Sequence, residues 1–433
     1  MENKSALLLV TLIILSVVLT RLIFFLTYPA DGPVGRRGPD GRLSIARNLV
    51  SGQGYIFDDG TQTANRTPVG VYFFALALLT MGDSLWSIVI AQWLAEVGTA
   101  ILVFFIALEI FQHRGVAFVS SLLLAFYVPS MAYTIRSWSE PLFTLLLAAF
   151  TWYLLWSLRA PSMWRFILCG ACLALATLSR PVMQYYPVVV LLLMVWALDK
   201  PWGHIGAYFA AFCVGFALVL SPWVVRNYQV FGVFIPSSTN SGLSFYQGNY
   251  MLGESDYLRY RQRVESMPAL KKTLESHFGT ISAATDLAER TKAKDLHGYE
   301  MLAEYAKAKG LNEYEINRFA QQEATRVIRA FPLRYAIVSS VRFFRLWFSQ
   351  MFVQNLFQGR VRLMPLLIAS ANVMLLGFAM VGWVRYGGSW CQRAAPLVAM
   401  LAYHTILYTM VLALGRYRAP IMPYVLIFAA YTL

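Results

Sequence analysis

Residues 85–111 read LWSIVIAQWLAEVGTAILVFFIALEIF, with only Glu96 and Glu109 ionisable. A bilayer's hydrocarbon core takes about 20 consecutive apolar helical residues to cross, so this run is long enough to span one. Comparable runs recur at 6–27, 116–132, 141–158, 166–179, 182–198, 205–223, 363–384, 395–414 and 419–433, which makes ten candidate spans. The composition agrees: 58% of the 433 residues are hydrophobic and 13% charged, against roughly 45–50% and about 25% in a soluble domain. The expected fold class is all-α, a polytopic integral membrane protein of about ten transmembrane helices.

The run at 6–27 lacks a clear small-residue cleavage site and is expected to be a retained helix, not a cleaved signal peptide. The run at 69–81 is too short to cross unaided and is read as a helix entering from one side; a crossing there would reverse everything after it. With a cytoplasmic N-terminus and no crossing at 69–81, Arg114, Arg159, Arg165 and Lys200 fall inside and Arg136 and Arg180 outside, which suits the positive-inside bias. The loop 28–67 then lies outside with five arginines, contrary to that bias unless those charges bind something. The expected location is the inner or plasma membrane, with the active site on the extracytoplasmic side.

The formal charge is +14, but its distribution does not suggest nucleic acid. Residues 225–333 carry fourteen Lys/Arg and twelve Asp/Glu; the rest of the chain carries twenty-two and ten. The excess therefore flanks the spans, where it reads as topology, attraction to anionic headgroups and a reservoir of phosphate ligands. Cys169, Cys172, Cys213 and Cys391 lie in or beside apolar runs and support neither a disulfide framework nor a paired zinc site.

Three regions follow: an N-terminal transmembrane module over 1–224 with the polar loop 28–67, a polar and mainly helical segment over 225–333, and a C-terminal part over 334–433. The helical reading of 257–329 rests on its Glu, Lys, Ala, Leu and Arg content and helix-period apolar residues. Arg334, Arg342 and Arg345 share one face of an otherwise apolar helix, which reads as interfacial.

An ionisable residue in or beside a span is costly enough that function is the default reading. Asp40 precedes a short helical turn carrying Leu43, Ala46, Leu49 and Val50; it is placed either as a base at the membrane surface or as a capping or turn aspartate. Glu140, in Ser139-Glu140-Pro141, opens a span, where it also complements the helix dipole, with Ser139 as a candidate cap. Asp31, Asp58 and Asp59 lie in ordinary turn sequence. Glu96 is the unusual acid inside a span, since Glu109 is near an end and can snorkel. Arg180, Arg226, Arg416 and Arg418 fall at one surface, where guanidinium forks suit phosphate oxygens and headgroup anchoring is the alternative. His113, His204, His277, His297 and His404 show no metal-ligand spacing, and no Walker A, dinucleotide or G-x-S-x-G pattern occurs.

The order of these pieces resembles a known family. An acid in the first loop, then Ile-Ala-Arg-Asn-Leu and Gly-Gln-Gly-Tyr, Arg66-Thr-Pro68, Gly82-Asp-Ser84, Ser139-Glu140-Pro141, Ser179-Arg180-Pro181, Pro222-Trp223 with Arg226-Asn227-Tyr228, Gly248-Asn249, and Arg416-Tyr-Arg418 with Pro420 and Pro423 are similar to the GT-C membrane glycosyltransferases. The branch is that of protein O-mannosyltransferases and lipid A aminoarabinose transferases.

The resemblance implies transfer on the extracytoplasmic face from a polyprenyl-phosphate-linked sugar to a lipid, glycan or protein acceptor, with inversion at the anomeric carbon and no nucleotide sugar. It implies Asp40 as general base, with Asp31 the outside candidate, and Glu140 as a second catalytic acid. Arg180 with Arg416 or Arg418 would grip the donor phosphate, helped by Arg226 and Arg66, and Tyr185, Tyr246 and Asn249 would line the substrate cavity. Some relatives build a metal site at the second acid, so a divalent ion (Mg, Mn or Zn) on Asp40 and Glu140 stays open. Relatives often carry an acid or aromatic after the aspartate, whereas Gly41, Arg42 and Leu43 follow Asp40 here. Two other readings compete: a polymerase or ligase using lipid diphosphate-linked glycans, and a non-catalytic transporter or flippase of lipid-linked sugars.

Overall fold

A computed structural model of the chain describes residues 2–27, 41–259, 262, 266–278, 300–303, 306, 309–349, 364–385 and 391–433. Asp31 and Asp40 lie outside the described residues. The chain forms two compact units: Met1–Ser237 with Phe348–His404 and Gly415–Leu433, and Ser238–Trp347 with Thr405–Leu414. The first boundary falls beyond residue 224 because one helix runs unbroken from Trp202 to Phe231, carrying Pro222 inside it.

The first unit begins with α1 (Glu2–Thr27), α2 (Arg42–Val50), α3 (Pro68–Met81), α4 (Leu85–Phe111), α5 (Arg114–Ala125) and α6 (Val128–Thr134). It continues with α7 (Glu140–Arg159), α8 (Met163–Ser179), α9 (Tyr186–Ala197) and α10 (Trp202–Phe231). Among the described residues no strand occurs beyond one isolated bridge between Ile56 and Gln62. The all-α membrane fold is therefore as expected, but the tally of spans is different. Among the described residues six helices are long and apolar enough to cross a bilayer, seven if α5 and α6, bent by 55°, count as one.

The shortfall from ten has local causes. The run at 116–132 breaks at Phe126–Tyr127, where Pro129 in the first turn of α6 starts a new helix. The run at 182–198 opens as a 3-10 turn, Pro181–Tyr185, leaving twelve residues for α9. The run at 419–433 likewise starts inside a 3-10 segment, Gly415–Ile421, which contains Pro420. The fourteen residues of α3 reach only about 21 Å at 1.5 Å per residue, so α3 is too short to cross, as its sequence predicts.

Helices α8 and α10 pack closely through two glycines. A Cβ on Gly170 would lie 2.0 Å from the Phe212 carbonyl oxygen, and one on Gly215 would lie 1.9 Å from that of Ile167. Small residues let membrane helices meet at the backbone, where van der Waals contact replaces the absent hydrophobic drive.

The second unit holds α11 (Ser241–Asn249), a 3-10 turn (Tyr250–Gly253), α12 (Pro268–Phe278), α13 (Glu313–Ala330) and α14 (Pro332–Phe348, whose last residue falls in the first unit). Its core gathers Tyr246, Met267, Leu274, Leu302 and Ala320. Helix α13 starts with a capping box: Asn312 Oδ1 accepts from the Glu315 amide at 3.0 Å, and Glu315 accepts from the Asn312 amide at 2.8 Å. Asn312→Ala is expected to lower stability by about 1 kcal/mol, measured as a shift in the chemical denaturation midpoint.

The arginine face of α14 packs against neighbouring turns of the second unit. Arg342, 3% exposed, donates to Asn249 Oδ1 at 2.9 Å, to the Met410 carbonyl at 3.1 Å and to the Gly248 carbonyl. Burial lowers its guanidinium to about 10. Arg334 caps the Leu252 and Glu254 carbonyls. Leu333, Ile337 and Phe344 are exposed instead, because the unpaired carbonyls of the neighbouring turns need donors more than solvent does.

The first unit resumes with α15 (Met364–Arg385) and closes with α17 (Met422–Thr432), which pack on each other. Between them α16 (Cys391–Val411) crosses into the stretch Thr405–Leu414.

Candidate functional site

Three helix ends of the first unit converge on one carboxylate. Glu140 is the first residue of α7 and 1% exposed. Arg180 ends α8, its backbone extended because Pro181 follows. Arg416 and Arg418 sit in the 3-10 turn Gly415–Ile421.

Arg180 Nη2 donates to Glu140 Oε1 at 2.5 Å, and its Nε and Nη2 donate to Ser139 Oγ at 3.2 and 3.1 Å. Contrary to the sequence expectation, Ser139 makes no side-chain cap on α7; its hydroxyl is taken by Arg180. Arg416 Nε stands 4.0 Å from Glu140 Oε1. The Arg416 guanidinium lies over Trp138 and Tyr417, at 4.7 and 5.2 Å, and Arg180 over Phe143 and Tyr417, at 5.5 and 5.7 Å. Arg418, 3% exposed, hydrogen-bonds Tyr127, whose hydroxyl donates to Asn372 Oδ1 at 2.9 Å.

Arg180 and Arg416 stand beside one carboxylate in a largely buried setting, with Arg418 on the same 3-10 turn as Arg416. The N-terminus of α7 adds its dipole. Glu140 Oε2 is buried with no hydrogen-bond partner among the described residues. A buried carboxylate oxygen of this kind can accept one further proton donor, and guanidinium forks suit anionic oxygens.

Arg226 and Arg66 are used differently. Arg226 donates to the Thr63 carbonyl at 2.8 Å, to Asn227 Oδ1 at 3.0 Å and to the Tyr55 carbonyl at 3.3 Å, beneath the Tyr55 and Trp223 rings. It clamps the loop 51–67 to α10. Arg66 donates to Asn65 Oδ1, and its carbonyl accepts from the Tyr55 hydroxyl at 2.8 Å. Burial pushes that hydroxyl above its usual range, against the pull of Arg42. Thr67 Oγ1 donates to the Ser179 carbonyl at 2.8 Å, tying this loop to the residue beside Arg180.

Of the proposed cavity residues, Tyr185 is exposed in the first unit, whereas Tyr246 and Asn249 are buried in the second. Asp40 immediately precedes Gly41, the N-cap of α2, which has a φ of 78°. That left-handed conformation suits glycine.

Among the described residues no group of three or more His, Cys, Asp or Glu could hold a metal ion. Glu140 is the acid at this cluster, and flanking guanidiniums oppose a divalent cation there.

Sequence reasoning missed Trp138, Tyr417, Tyr127 and Asn372, which frame the arginines. Trp138 and Tyr417 adjoin quoted motifs, so proximity was a usable signal; Asn372 carried none. It also missed the partner of Glu96. Arg21, alone within the first span, donates to Glu96 Oε2 at 2.8 Å.

Residues 65–225, which include Glu140 and Arg180, match the family model described as dolichyl-phosphate-mannose-protein mannosyltransferase. No curated protein matches. Among solved structures, the chain is similar to an oligosaccharyltransferase from Archaeoglobus fulgidus tethered with an acceptor peptide, with a TM-score of 0.56 and 13% identity over 98% of this chain and 49% of that one. The fold is similar to that of this oligosaccharyltransferase, in keeping with the resemblance read from the motifs, and the chain spans about half the length of the archaeal enzyme. It is also similar to ArnT from Cupriavidus metallidurans bound to undecaprenyl phosphate, with 14% identity, a TM-score of 0.45 and coverage of 100% of this chain and 78% of that one.

Proposed function

We propose that this chain is an inverting glycosyltransferase that moves a sugar from a polyprenyl-phosphate-linked donor to a hydroxyl of a lipid, glycan or protein acceptor on the extracytoplasmic face of the membrane. The observation that carries the reading is the convergence of Arg180 and Arg416 on Glu140, with Arg418 on the same 3-10 turn as Arg416.

As the anomeric carbon–oxygen bond of such a donor breaks, the departing lipid phosphate gains negative charge. Fixed guanidiniums in a partly dry site stabilise that charge without reorganising during the reaction. The phosphate leaves without acid help, so one base suffices. The acceptor hydroxyl attacks the opposite face of the sugar and gives its proton to Asp40, which the family resemblance places in that role. Glu140 holds Arg180 in place and offers Oε2 to a sugar or acceptor hydroxyl.

The test is release of free polyprenyl phosphate from a panel of polyprenyl-phosphate sugars by purified protein, with a crude envelope extract as acceptor. Wild type is expected to cleave one donor, and Asp40→Asn to cut its rate by about 10²–10⁴-fold, the span a positioned general base contributes. If no donor is cleaved while a lipid-linked sugar crosses a bilayer in reconstituted vesicles, the transporter reading replaces this one.

A further inference from the structure

Two further buried charges of the first unit, Arg21 and Glu96, are not among the arginine site's residues. Arg21 is 0% exposed and Glu96 3%. Their ion pair, at 2.8 Å, sits against the break between α5 and α6. There the Leu124 carbonyl keeps the Tyr127 amide at 3.1 Å, but Pro129 has no N–H to offer the Ala125 carbonyl, and a membrane interior supplies no water to replace it. Arg21 fills that role. Its Nη1 donates to the Ala125 carbonyl and its Nη2 to the Leu124 carbonyl at 3.4 Å, while Nη2 also reaches Ser130 Oγ, at 2.8 Å, on the far side of the break. Thr20 Oγ1 adds a second donor to Ala125, at 3.0 Å.

The break itself carries Tyr127. That residue caps α6 and meets Arg418 and Asn372 at the site. Tyr133, further along α6, lies within electrostatic reach of Glu140, Arg416 and Arg418. A continuous helix through 114–134 would not present these side chains in the same way, because the 55° bend redirects α6.

We infer that Arg21 and Glu96 are positioning residues: they hold the α5–α6 break open and thereby fix Tyr127 against Arg418. Arg21 supplies the donors, and Glu96 holds the guanidinium in register. Only the ligand-binding part of the test rests on the proposed function.

The test compares wild type with Arg21→Lys and with the double variant Arg21→Met/Glu96→Leu. The double variant leaves no unpaired buried charge, so it folds where a single Arg21→Met variant need not. Two readouts are used on the full-length protein: amide hydrogen exchange of 126–134, and the Kd for undecaprenyl phosphate. In the double variant, exchange at 126–134 is expected to rise at least tenfold while α8 and α10 are unchanged, and the Kd to weaken about tenfold. Arg21→Lys, with one donor group and no fork, is expected to fall between. A double variant with wild-type exchange and wild-type Kd would overturn the inference and leave the pair a stability element. If wild type does not bind undecaprenyl phosphate, the proposed donor class fails, and the exchange at 126–134 alone decides the positioning role.

Discussion

Arg180→Met is expected to lower the rate of polyprenyl phosphate release by about 10²–10³-fold, the loss typical of removing one preorganised charge donor. It is also expected to cost about 3–5 kcal/mol of stability, because Glu140 would be left buried without its 2.5 Å partner. The two effects separate in the double variant Arg180→Met/Glu140→Leu. Replacing a buried pair by apolar side chains is often neutral for folding, so the thermal transition should return towards wild type while release stays low. Recovery of release along with stability would show that Arg180 serves the fold alone.

Gly215→Ala is expected to have the other large effect. Its Cβ would fall 1.9 Å from the Ile167 carbonyl oxygen, a clash with backbone that no rotamer relieves. Helix α8 must then move away from α10, carrying Arg180 with it. A displacement near 1 Å at a reacting centre costs roughly 100-fold in rate, so transfer should fall even in preparations that remain folded. Gly206→Ala on the same helix is the control, since nothing lies within 4 Å of its Cβ position. Equal melting temperatures and equal rates for the two variants would refute the close-crossing account.

The sequence made the membrane class and the site's arginines legible because both depend on local composition. Long apolar runs need no tertiary knowledge, and Arg180 and Glu140 stand beside prolines that mark helix ends. Span number was harder to read. Whether 116–132 is one helix or two turns on Pro129 and on Arg21, more than a hundred residues away, which accepts the cost of an open break. The partners of α14 were not legible for a similar reason: periodicity shows that Arg334 and Arg342 share a side, but not that carbonyls of Leu252 and Met410 lie there. Ser139 reads as a cap in sequence and is taken by Arg180 in space. The base assigned to Asp40 rests on motif order, and its side chain lies outside the described residues.

The pairing of Arg21 with Glu96 also bears on how the protein is made. The two are 75 residues apart in sequence, and the Ala125 carbonyl is 104 from Arg21. At about 5–20 residues per second, the ribosome adds the first of those partners about 4–15 s after Arg21 itself. Until then α1 carries a charge that costs roughly 2.5–3.5 kcal/mol at the middle of a lone helix. The first helix is therefore a late settler: it waits beside the insertion machinery for a segment still being translated. Contacts between α1 and that machinery, trapped by crosslinking stalled chains, should persist until Glu96 emerges and should end early in Arg21→Leu.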